Sequence, residues 1–289
     1  MEIGQTVPAG RGGVLGGFRN FVVGIILIVI VLVTSFPFFW MVSTSLKSLR
    51  EVNMFPPPVL PAVPQFENYV TAFTRAPLFK YGLNSTIICL SVMALTCSLA
   101  LSAGYALVFL EFRGKKLIFQ MLLAPQIVAG VAVLLPLFVV LKTLGLLNNR
   151  LALILPYTVM YSPFAVFLLR GYLGSVPKEL AESARVDGAG DLRILVQIIL
   201  PLVRPALAAI ALFCFIWSWN EFLFSLIFVQ APELRTVSVG IAFLSSLPNF
   251  PRETNIILAA ASAVTVPVLL LFVLMQRQFI GGITAGAVK

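Results

Sequence analysis

The sequence predicts an all-α membrane protein, a polytopic bundle of six transmembrane helices. Of its 289 residues, 60% are hydrophobic and only 11% are charged, whereas soluble domains carry about a quarter charged residues. The mean hydropathy is +1.02. Six apolar stretches follow one another, each near the roughly 20 residues that a helix needs to cross a bilayer.

The predicted spans alternate with polar segments along a single membrane domain, residues 21–289. The spans are residues 21–41, 85–109, 117–141, 151–169, 205–229 and 256–275. A leader, residues 1–20, precedes them and a tail, residues 277–289, follows. The first apolar stretch is longer than the core of a signal peptide, so it is predicted to be a retained span.

The distribution of Lys and Arg predicts that both termini are cytoplasmic. In that orientation the inner segments hold more of the 20 basic residues than the outer ones do. The hairpin 111–116 is the clearest inner segment, with Arg113, Lys115 and Lys116. The net charge of +9 is explained by basic residues that flank the membrane spans and set their orientation in the lipid membrane. No nucleic-acid partner is predicted.

Composition excludes several kinds of chemistry. The chain has no histidine, and its three cysteines, Cys89, Cys97 and Cys214, lie in apolar stretches without metal-site spacing. No G-x-x-x-x-G-K-[ST] sequence occurs, so no P-loop nucleotide site is expected. We therefore predict no catalytic residue, metal site or cofactor in this chain.

A charged segment, residues 176–204, connects the fourth and fifth predicted spans. Pro177 can begin a helix, because its missing N–H would have no partner there. Gly188 can end that helix with positive φ, and Asp191 can cap a second one. The sequence thus predicts a cytoplasmic pair of short helices joined by a glycine turn.

Acidic residues distinguish this segment from an ordinary interfacial helix. Such helices usually present Lys and Arg to anionic lipid. This segment instead carries Glu179, Glu182, Asp187 and Asp191. An acidic helix suits a basic cleft of a protein partner, so protein docking is preferred over lipid adhesion.

The spacing of the segment resembles the EAA loop of ABC-importer permeases, E-A-A-x-x-x-G-x9-I-x-L-P. Glu182, Ala184, Gly188 and the end at Ile198 to Pro201 fit the pattern. Ser183 stands where the pattern has its first Ala. In that family the loop is where an ATPase subunit moves the membrane domain.

Further stretches resemble the carbohydrate-type permeases, in particular the shorter, six-span permease of maltose-type transporters. These stretches are residues 37–47, 67–69, 84–85, 219–222, 234–236 and 282–289. The resemblance covers nearly the whole chain. It implies a non-catalytic permease subunit, in the cytoplasmic membrane, of a binding-protein-dependent importer for a sugar or related carbohydrate.

The resemblance also implies partners. They are a second permease subunit, two ATP-binding subunits that bind ATP and Mg²⁺, and an extracytoplasmic solute-binding protein, which loop 230–255 would approach. It places coupling to the ATPase at Glu179, Glu182, Ser183, Ala184, Arg185, Asp187 and Gly188. The tail residues Thr284, Gly286 and Lys289 would reach between the ATPase subunits.

Glu221 is the one acid well inside a predicted span, where a charge costs about 2.5–3.5 kcal/mol. Two interpretations compete. Either it lines a sugar route with Trp217 and Asn220, or it is a polar clamp between helices. The resemblance favours the clamp or a general wall of the route, because the pattern recurs across permeases of differing substrates. Tyr157 and Tyr161 are further candidates for the route, although aromatic residues in spans more often serve packing.

Two other classes of protein are less consistent with the sequence. An ion-coupled secondary carrier should show several intramembrane charges and broken helices, and Glu221 alone meets the first criterion. An intramembrane enzyme needs a nucleophile and a base within its spans, and no such pair stands out. The importer permease is therefore the preferred function.

Overall fold

The regular structure of this chain is helical throughout the described ranges. The computed structural model describes residues 13–128, 130–245 and 253–287, with side chains described between residues 20 and 276. The helices are α1 (Gly13–Ser45), α2 (Leu49–Val52), α3 (Glu67–Arg75), α4 (Leu78–Phe109), α5 (Lys115–Leu123), α6 (Gly130–Thr143), α7 (Leu151–Leu173), α8 (Glu179–Val186), α9 (Asp191–Ile194), α10 (Leu200–Asn220), α11 (Leu223–Phe228), α12 (Val237–Ser245) and α13 (Thr254–Ala287). Two 3₁₀ turns, Ala124–Ile127 and Pro232–Leu234, and a π turn, Leu195–Ile199, complete them.

Among the residues that the structure describes, five helical segments are long and apolar enough to cross a membrane. They are Asn20–Ser45, Leu78–Phe109, Leu151–Leu173, Asp191–Asn220 and Thr254–Gln276. A sixth crossing exists if Lys115–Ile127 and Gly130–Thr143 count as one broken span. The predicted all-α class with several membrane spans is confirmed, and the number of spans is five or six.

The third predicted span, 117–141, is not one continuous helix. Its two halves meet at an angle of 99°. Pro125 is the second residue of the 3₁₀ turn after α5, and Val128 has extended backbone with ψ near 126°. A proline without an N–H and an extended residue both interrupt helical hydrogen bonding. Sequence hydropathy alone does not register such a break.

The fifth predicted span, 205–229, begins earlier and ends earlier than expected. A continuous helical segment runs from Asp191 to Asn220, passing through the π turn, where the Leu200 N–H donates to Leu195 O. Pro201 therefore lies near the start of α10 and does not separate two helices. The far end is set by Glu221, whose extended backbone ends α10.

The core of the bundle lies between α4, α7 and α10. Ala100, Leu169 and Ile210 are fully buried there. Gly104 lets α4 approach α7 closely, because a Cβ at this position would lie 3.0 Å from Leu173 Cδ1. Ala181 of α8 is buried in the same core and attaches that short helix to the bundle.

Helix α1 lies at the edge of the bundle and contacts α13. Its apolar side chains are exposed along most of its length, and burial begins only near Ser43. A large exposed apolar surface of this kind requires lipid or another protein against it. Contact with lipid or another protein therefore explains why α1 is apolar although it contributes little to the internal core.

Two of the stretches that carry the family resemblance meet beyond the end of α1. Asn68 Nδ2 donates hydrogen bonds to Ser45 O at 2.8 Å and Lys47 O at 2.9 Å. Lys47 is 1% exposed, and its ammonium lies 4.2 Å from the ring centroid of Trp40. Burial lowers the pKa of Lys47, while the nearby charge of Glu51 acts in the opposite direction.

Two other such stretches meet between α4 and the segment before α12. Asn84 Nδ2 donates to Glu233 O at 2.9 Å and Arg235 O at 3.1 Å, and its Oδ1 accepts from Arg150 Nη2 at 2.9 Å. Ser85 Oγ accepts from the Val237 N–H at 2.9 Å. These side chains anchor a loop that would otherwise leave its backbone groups unpaired.

Candidate functional site

The charged segment folds as a short helix, a glycine turn and a second helix. Helix α8 ends in a pair of hydrogen bonds: the Ala189 N–H donates to Ala184 O at 2.9 Å and the Gly188 N–H to Arg185 O at 3.0 Å. This is the Schellman arrangement, which needs left-handed backbone at its glycine. Gly188 has φ of +82°, so it makes the turn that the sequence predicts.

The turn is tied to the end of α4 by a small polar network. Arg185 Nη2 lies 2.9 Å from Asp191 Oδ1 and forms an ion pair across the turn. Tyr105 of α4 donates its hydroxyl hydrogen to the same oxygen at 2.7 Å. Arg185 Nη2 also donates to Phe109 O at 3.2 Å. The hydrogen bond to Asp191 raises the pKa of Arg185, which therefore stays charged.

Two residues, Asp191 and Arg185, differ from the sequence prediction because of this network. Gly190, not Asp191, is the N-cap of α9, and Asp191 is its first residue, with its carboxylate turned to Arg185 and Tyr105. Arg185, predicted among the coupling residues, is bound within its own chain. No sequence signal links Tyr105 to the turn, because Tyr105 and Asp191 are 86 residues apart in the chain.

The other predicted coupling residues fall on two faces of α8. Ala184 is half-buried and packs with Ala181 against the core. Glu179, Glu182, Ser183 and Asp187 are exposed. The exposed face thus carries the acids, as the pattern predicts.

Ser183, which replaces an alanine of the pattern, keeps its hydroxyl within the helix. Its Oγ donates to Glu179 O at 2.7 Å. Such a bond to the preceding turn needs no external partner. The replacement therefore leaves the geometry of α8 intact.

Apolar side chains beside the turn are also exposed. Val186 is 88% exposed and Leu192 is 75% exposed, one on each side of Gly188. Sequence periodicity did not single them out, because each is an isolated apolar residue in a charged segment. Together with the acids they form the outer face of the turn.

The second candidate site lies where α10 ends. Glu221 Oε1 accepts from the Phe224 N–H at 2.9 Å, and Oε2 accepts from the Ser225 N–H at 3.2 Å and from the Tyr157 hydroxyl. Tyr157 is 2% exposed. The carboxylate thus binds the free N–H groups at the start of α11 and links it to α7. A charge in this position has the partners that an apolar surrounding requires.

Two other candidate route residues, Trp217 and Asn220, are accessible on α10. Trp217 is 37% exposed and packs in an aromatic cluster, with ring centroids 5.2 Å from Tyr161 and 5.1 Å from Phe164. Asn220 is exposed and donates to Ile216 O in its own helix at 2.8 Å. Trp217 and Asn220 are therefore accessible, whereas Tyr157 is not.

The predicted tail contacts lie at or beyond the limit of the described residues. Thr284 and Gly286 belong to the backbone of α13, which continues to Ala287. Lys289 lies outside the described residues. Loop 230–255 contains a 3₁₀ turn and α12, and its residues 246–252 also lie outside the described ranges.

Within the described ranges, no group of three or more Cys, Asp or Glu residues is arranged to hold a metal ion. The three cysteines are unpaired. Cys89 and Cys214 are buried.

Residues 10–282 match the family described as "binding-protein-dependent transport system inner membrane component". The chain is 35% identical over 254 residues to the sulfoquinovosyl glycerol transport system permease protein SmoH of Agrobacterium fabrum, covering 88% of each chain. It is 34% identical over 270 residues to the trehalose/maltose transport system permease protein MalG of Thermococcus litoralis, covering 93% of this chain and 95% of the relative.

The fold matches a solved structure as well. A bacterial ABC transporter involved in the import of the acidic polysaccharide alginate has a chain that superposes with a TM-score of 0.78. The match covers 95% of this chain and 100% of the other, at 23% identity. It supports the fold, while the family match and the relatives above 30% identity carry the assignment. This chain is a multi-pass protein of the cytoplasmic membrane and belongs to the inner membrane permease family of binding-protein-dependent ABC transport systems.

Proposed function

We propose that this chain forms half of the translocation pathway of an importer for a sugar or related carbohydrate. Relatives named for diacetylchitobiose and arabinooligosaccharides support this substrate class, as do the two permeases described above. Membership of the permease family speaks against an ion-coupled carrier that works alone.

The proposed link to ATP hydrolysis is α8, which an ATPase subunit moves. One observation carries this proposal: α8 is exposed on its acidic face, while its opposite face and its C-terminal turn contact the bundle. Ala181 lies in the core, and the Arg185–Asp191 pair holds the glycine turn against Tyr105 of α4. A displacement of α8 would therefore move α4 and α10 together.

The outer face of the turn supplies the proposed contact surface. Glu179, Glu182 and Asp187 offer negative charge to a basic cleft, and Val186 and Leu192 offer apolar anchors. Interfaces commonly combine a few apolar anchors with a polar rim. Ser183 and Gly188 shape the helix and its end.

The proposed assembly contains a second permease subunit, two ATP-binding subunits and an extracytoplasmic solute-binding protein. ATP and Mg²⁺ belong to the ATP-binding subunits, and this chain performs no catalysis. Its tail, residues 277–289, reaches between the ATP-binding subunits and contributes Thr284, Gly286 and Lys289 to that contact. Both termini and the 176–204 segment face the cytoplasm in this arrangement, and loop 230–255 faces the binding protein.

For the sugar route we propose the exposed face that carries Trp217 and Asn220. An accessible indole can stack on a sugar ring, and a side-chain amide can bind hydroxyl groups. Glu221 and Tyr157 serve instead as the clamp between α7 and α11, because their polar atoms already bind each other and the α11 backbone.

The coupling proposal is tested by reversing charge on α8. The ATPase should fail to co-purify with the permease pair carrying Glu182→Lys and Asp187→Lys together, because two repulsive contacts replace two attractive ones. Ser183→Ala, on the same exposed face, is the matched control and should retain the ATPase. Normal co-purification of the double variant would contradict the proposal.

The substrate class is tested with the cognate solute-binding protein and reconstituted complex. Calorimetry of the binding protein against neutral and acidic oligosaccharides should identify a sugar ligand. Proteoliposomes containing the whole assembly should accumulate that sugar only with ATP. Uptake driven by an ion gradient through this chain alone would refute the importer function.

A further inference from the structure

A cavity of about 860 Å³ opens between α4, α5, α7 and α10, at the end of the bundle that carries α8. Its walls are largely apolar. Phe119, Phe167 and Phe213 form aromatic surfaces, and Ala209 leaves room between them. Neither the coupling face of α8 nor the clamp at Glu221 includes this cavity.

Three cations line the cavity. They come from separate segments: Lys115 begins α5, Arg170 lies in the last turn of α7, and Lys178 precedes α8. Arg170 lies over the ring of Phe119, with Cζ 3.9 Å from its centroid. Lys115 Nζ donates to Leu110 O at 3.0 Å.

No acidic residue lines this cavity, and within the described ranges none of the three cations forms an ion pair. Glu111, Glu182 and Asp191 line an adjoining cavity of about 350 Å³ that shares Val108 and Lys178 with the larger one. Asp191 is engaged by Arg185. The larger cavity therefore keeps an excess of positive charge beside apolar walls.

We propose that this cavity binds an anionic phospholipid, with its phosphate at Lys115, Arg170 and Lys178 and an acyl chain along the aromatic walls. Basic pockets between transmembrane helices suit anionic headgroups, and each Lys or Arg adds to the attraction. The inference rests only on the membrane location of the chain and goes beyond its proposed transport function.

The lining favours lipid over a sugar. A bound sugar presents hydroxyl groups along its whole length and needs hydrogen-bonding partners to match. Apart from the three cations, Tyr172 is the one side chain among the lining residues with a polar group. An acyl chain needs no such partners and gains from burial against Phe167 and Phe213.

Native mass spectrometry of the purified whole complex tests the proposal. The complex is exchanged into detergent with phosphatidylglycerol or with phosphatidylethanolamine of the same acyl chains. Wild type should retain phosphatidylglycerol at least about tenfold better. The combined variant Lys115→Gln, Arg170→Gln and Lys178→Gln should lose this preference, while Lys116→Gln, a neighbouring exposed lysine outside the cavity, should keep it.

A second variant addresses the apolar half of the site. Ala209→Trp fills the space beside the aromatic walls without changing charge, and it should lower retention of phosphatidylglycerol severalfold. Glycerol 3-phosphate, which carries the phosphate without acyl chains, should not displace the lipid at millimolar concentration. Assembly of each variant complex is checked by size-exclusion chromatography, and Ala209→Trp keeps the test decisive if the triple variant does not assemble.

Three results would overturn the proposal. Equal retention of the two lipids by wild type would remove the charge preference. Displacement by glycerol 3-phosphate would indicate a site for soluble anions. A wild-type complex that retains neither lipid would indicate that another subunit covers the cavity.

Discussion

The hydroxyl of Tyr105 donates a hydrogen bond to Asp191 across 2.7 Å and joins the glycine turn to the end of α4. The same carboxylate oxygen pairs with Arg185. The glycine turn between α8 and α9 is thereby fixed to α4, one of the three core helices. A displacement of the turn would therefore have to break these contacts or move the end of α4 with it.

Tyr105→Phe should loosen the turn without unfolding the bundle. The substitution removes one charge-assisted hydrogen bond and keeps the ring, which stacks on Phe109. Hydrogen exchange of residues 185–194 should become severalfold faster. Tyr172→Phe is the control, because the Tyr172 hydroxyl makes no hydrogen bond within the described residues. Unchanged exchange in Tyr105→Phe would mean that Arg185 alone holds the turn.

Glu221→Ala should destabilise the end of α10 by about 1–3 kcal/mol. The buried N–H groups of Phe224 and Ser225 would lose their acceptor, and an unpaired buried donor costs roughly that amount. Thermal unfolding of the purified complex should shift to lower temperature. Asn220→Ala should leave stability nearly unchanged, since Asn220 is exposed and binds only its own helix.

Measurements of sugar uptake distinguish a clamp at Glu221 from a sugar route at Trp217 and Asn220. If Asn220 and Trp217 line the sugar route, Trp217→Ala should alter uptake while stability stays close to wild type. A fall in uptake with Glu221→Ala should follow its loss of stability. A Glu221→Ala complex as stable as wild type would contradict the clamp.

Gly240→Ala should separate α12 from α4. A Cβ at Gly240 would lie 2.2 Å from Cδ2 of Tyr81, which is buried, so the ring or the helix has to move. We expect a loss of about 1–3 kcal/mol, which is usual for overpacking, measured by thermal unfolding. Gly82→Ala, on α4 with open space around it, should be neutral or slightly stabilising. Equal stability of the two variants would show that Tyr81 can rotate away freely.

The loop after α1 should lose order in acid because of Glu51. The backbone N–H groups of Ala62 and Ser48, followed by the Ser48 hydroxyl, lower the pKa of this carboxyl below its ordinary value of 4.5. A lowered folded-state pKa means that the ionised form stabilises the loop above the unfolded pKa. That stabilisation is lost as pH falls through the folded value.

Limited proteolysis of residues 48–65 across this acid range tests the prediction. Wild type should be protected near neutral pH and become susceptible below about pH 4.5. Glu51→Gln should be susceptible throughout and lose the pH dependence. Glu67→Gln, an exposed acid on α3, should keep the wild-type profile. A pH-dependent profile in Glu51→Gln would assign the transition to another group.

Much of the fold could be predicted from local sequence properties. Long apolar stretches predict membrane helices because each must satisfy its own backbone hydrogen bonds in lipid. The pattern from Glu182 to Gly188 predicted a helix and its turn, since positive φ at a glycine is a local requirement. The break in the third span and the ends of the fifth differ from the prediction, because hydropathy measures apolar length and not the continuity of a helix.

Contacts between distant residues were decided only by the tertiary structure. The sequence left open whether Glu221 lines a route or forms a clamp. In the fold, its carboxylate binds Tyr157 and the start of α11. Asn68 and Asn84 belong to short stretches that carry the family resemblance. Only the fold shows that they bind the backbone oxygens of Lys47 and Arg235.

The sequence by itself therefore determined the class of protein, its helical segments and the position of the glycine turn. The tertiary structure decided which polar and charged groups meet: the Tyr105 hydroxyl with the Asp191 carboxylate, and Lys115 with Arg170 and Lys178 around one cavity. The physical reason is that hydrophobic burial and backbone geometry act within a segment. Pairing of polar groups depends on how separate helices pack, and no local pattern encodes that arrangement.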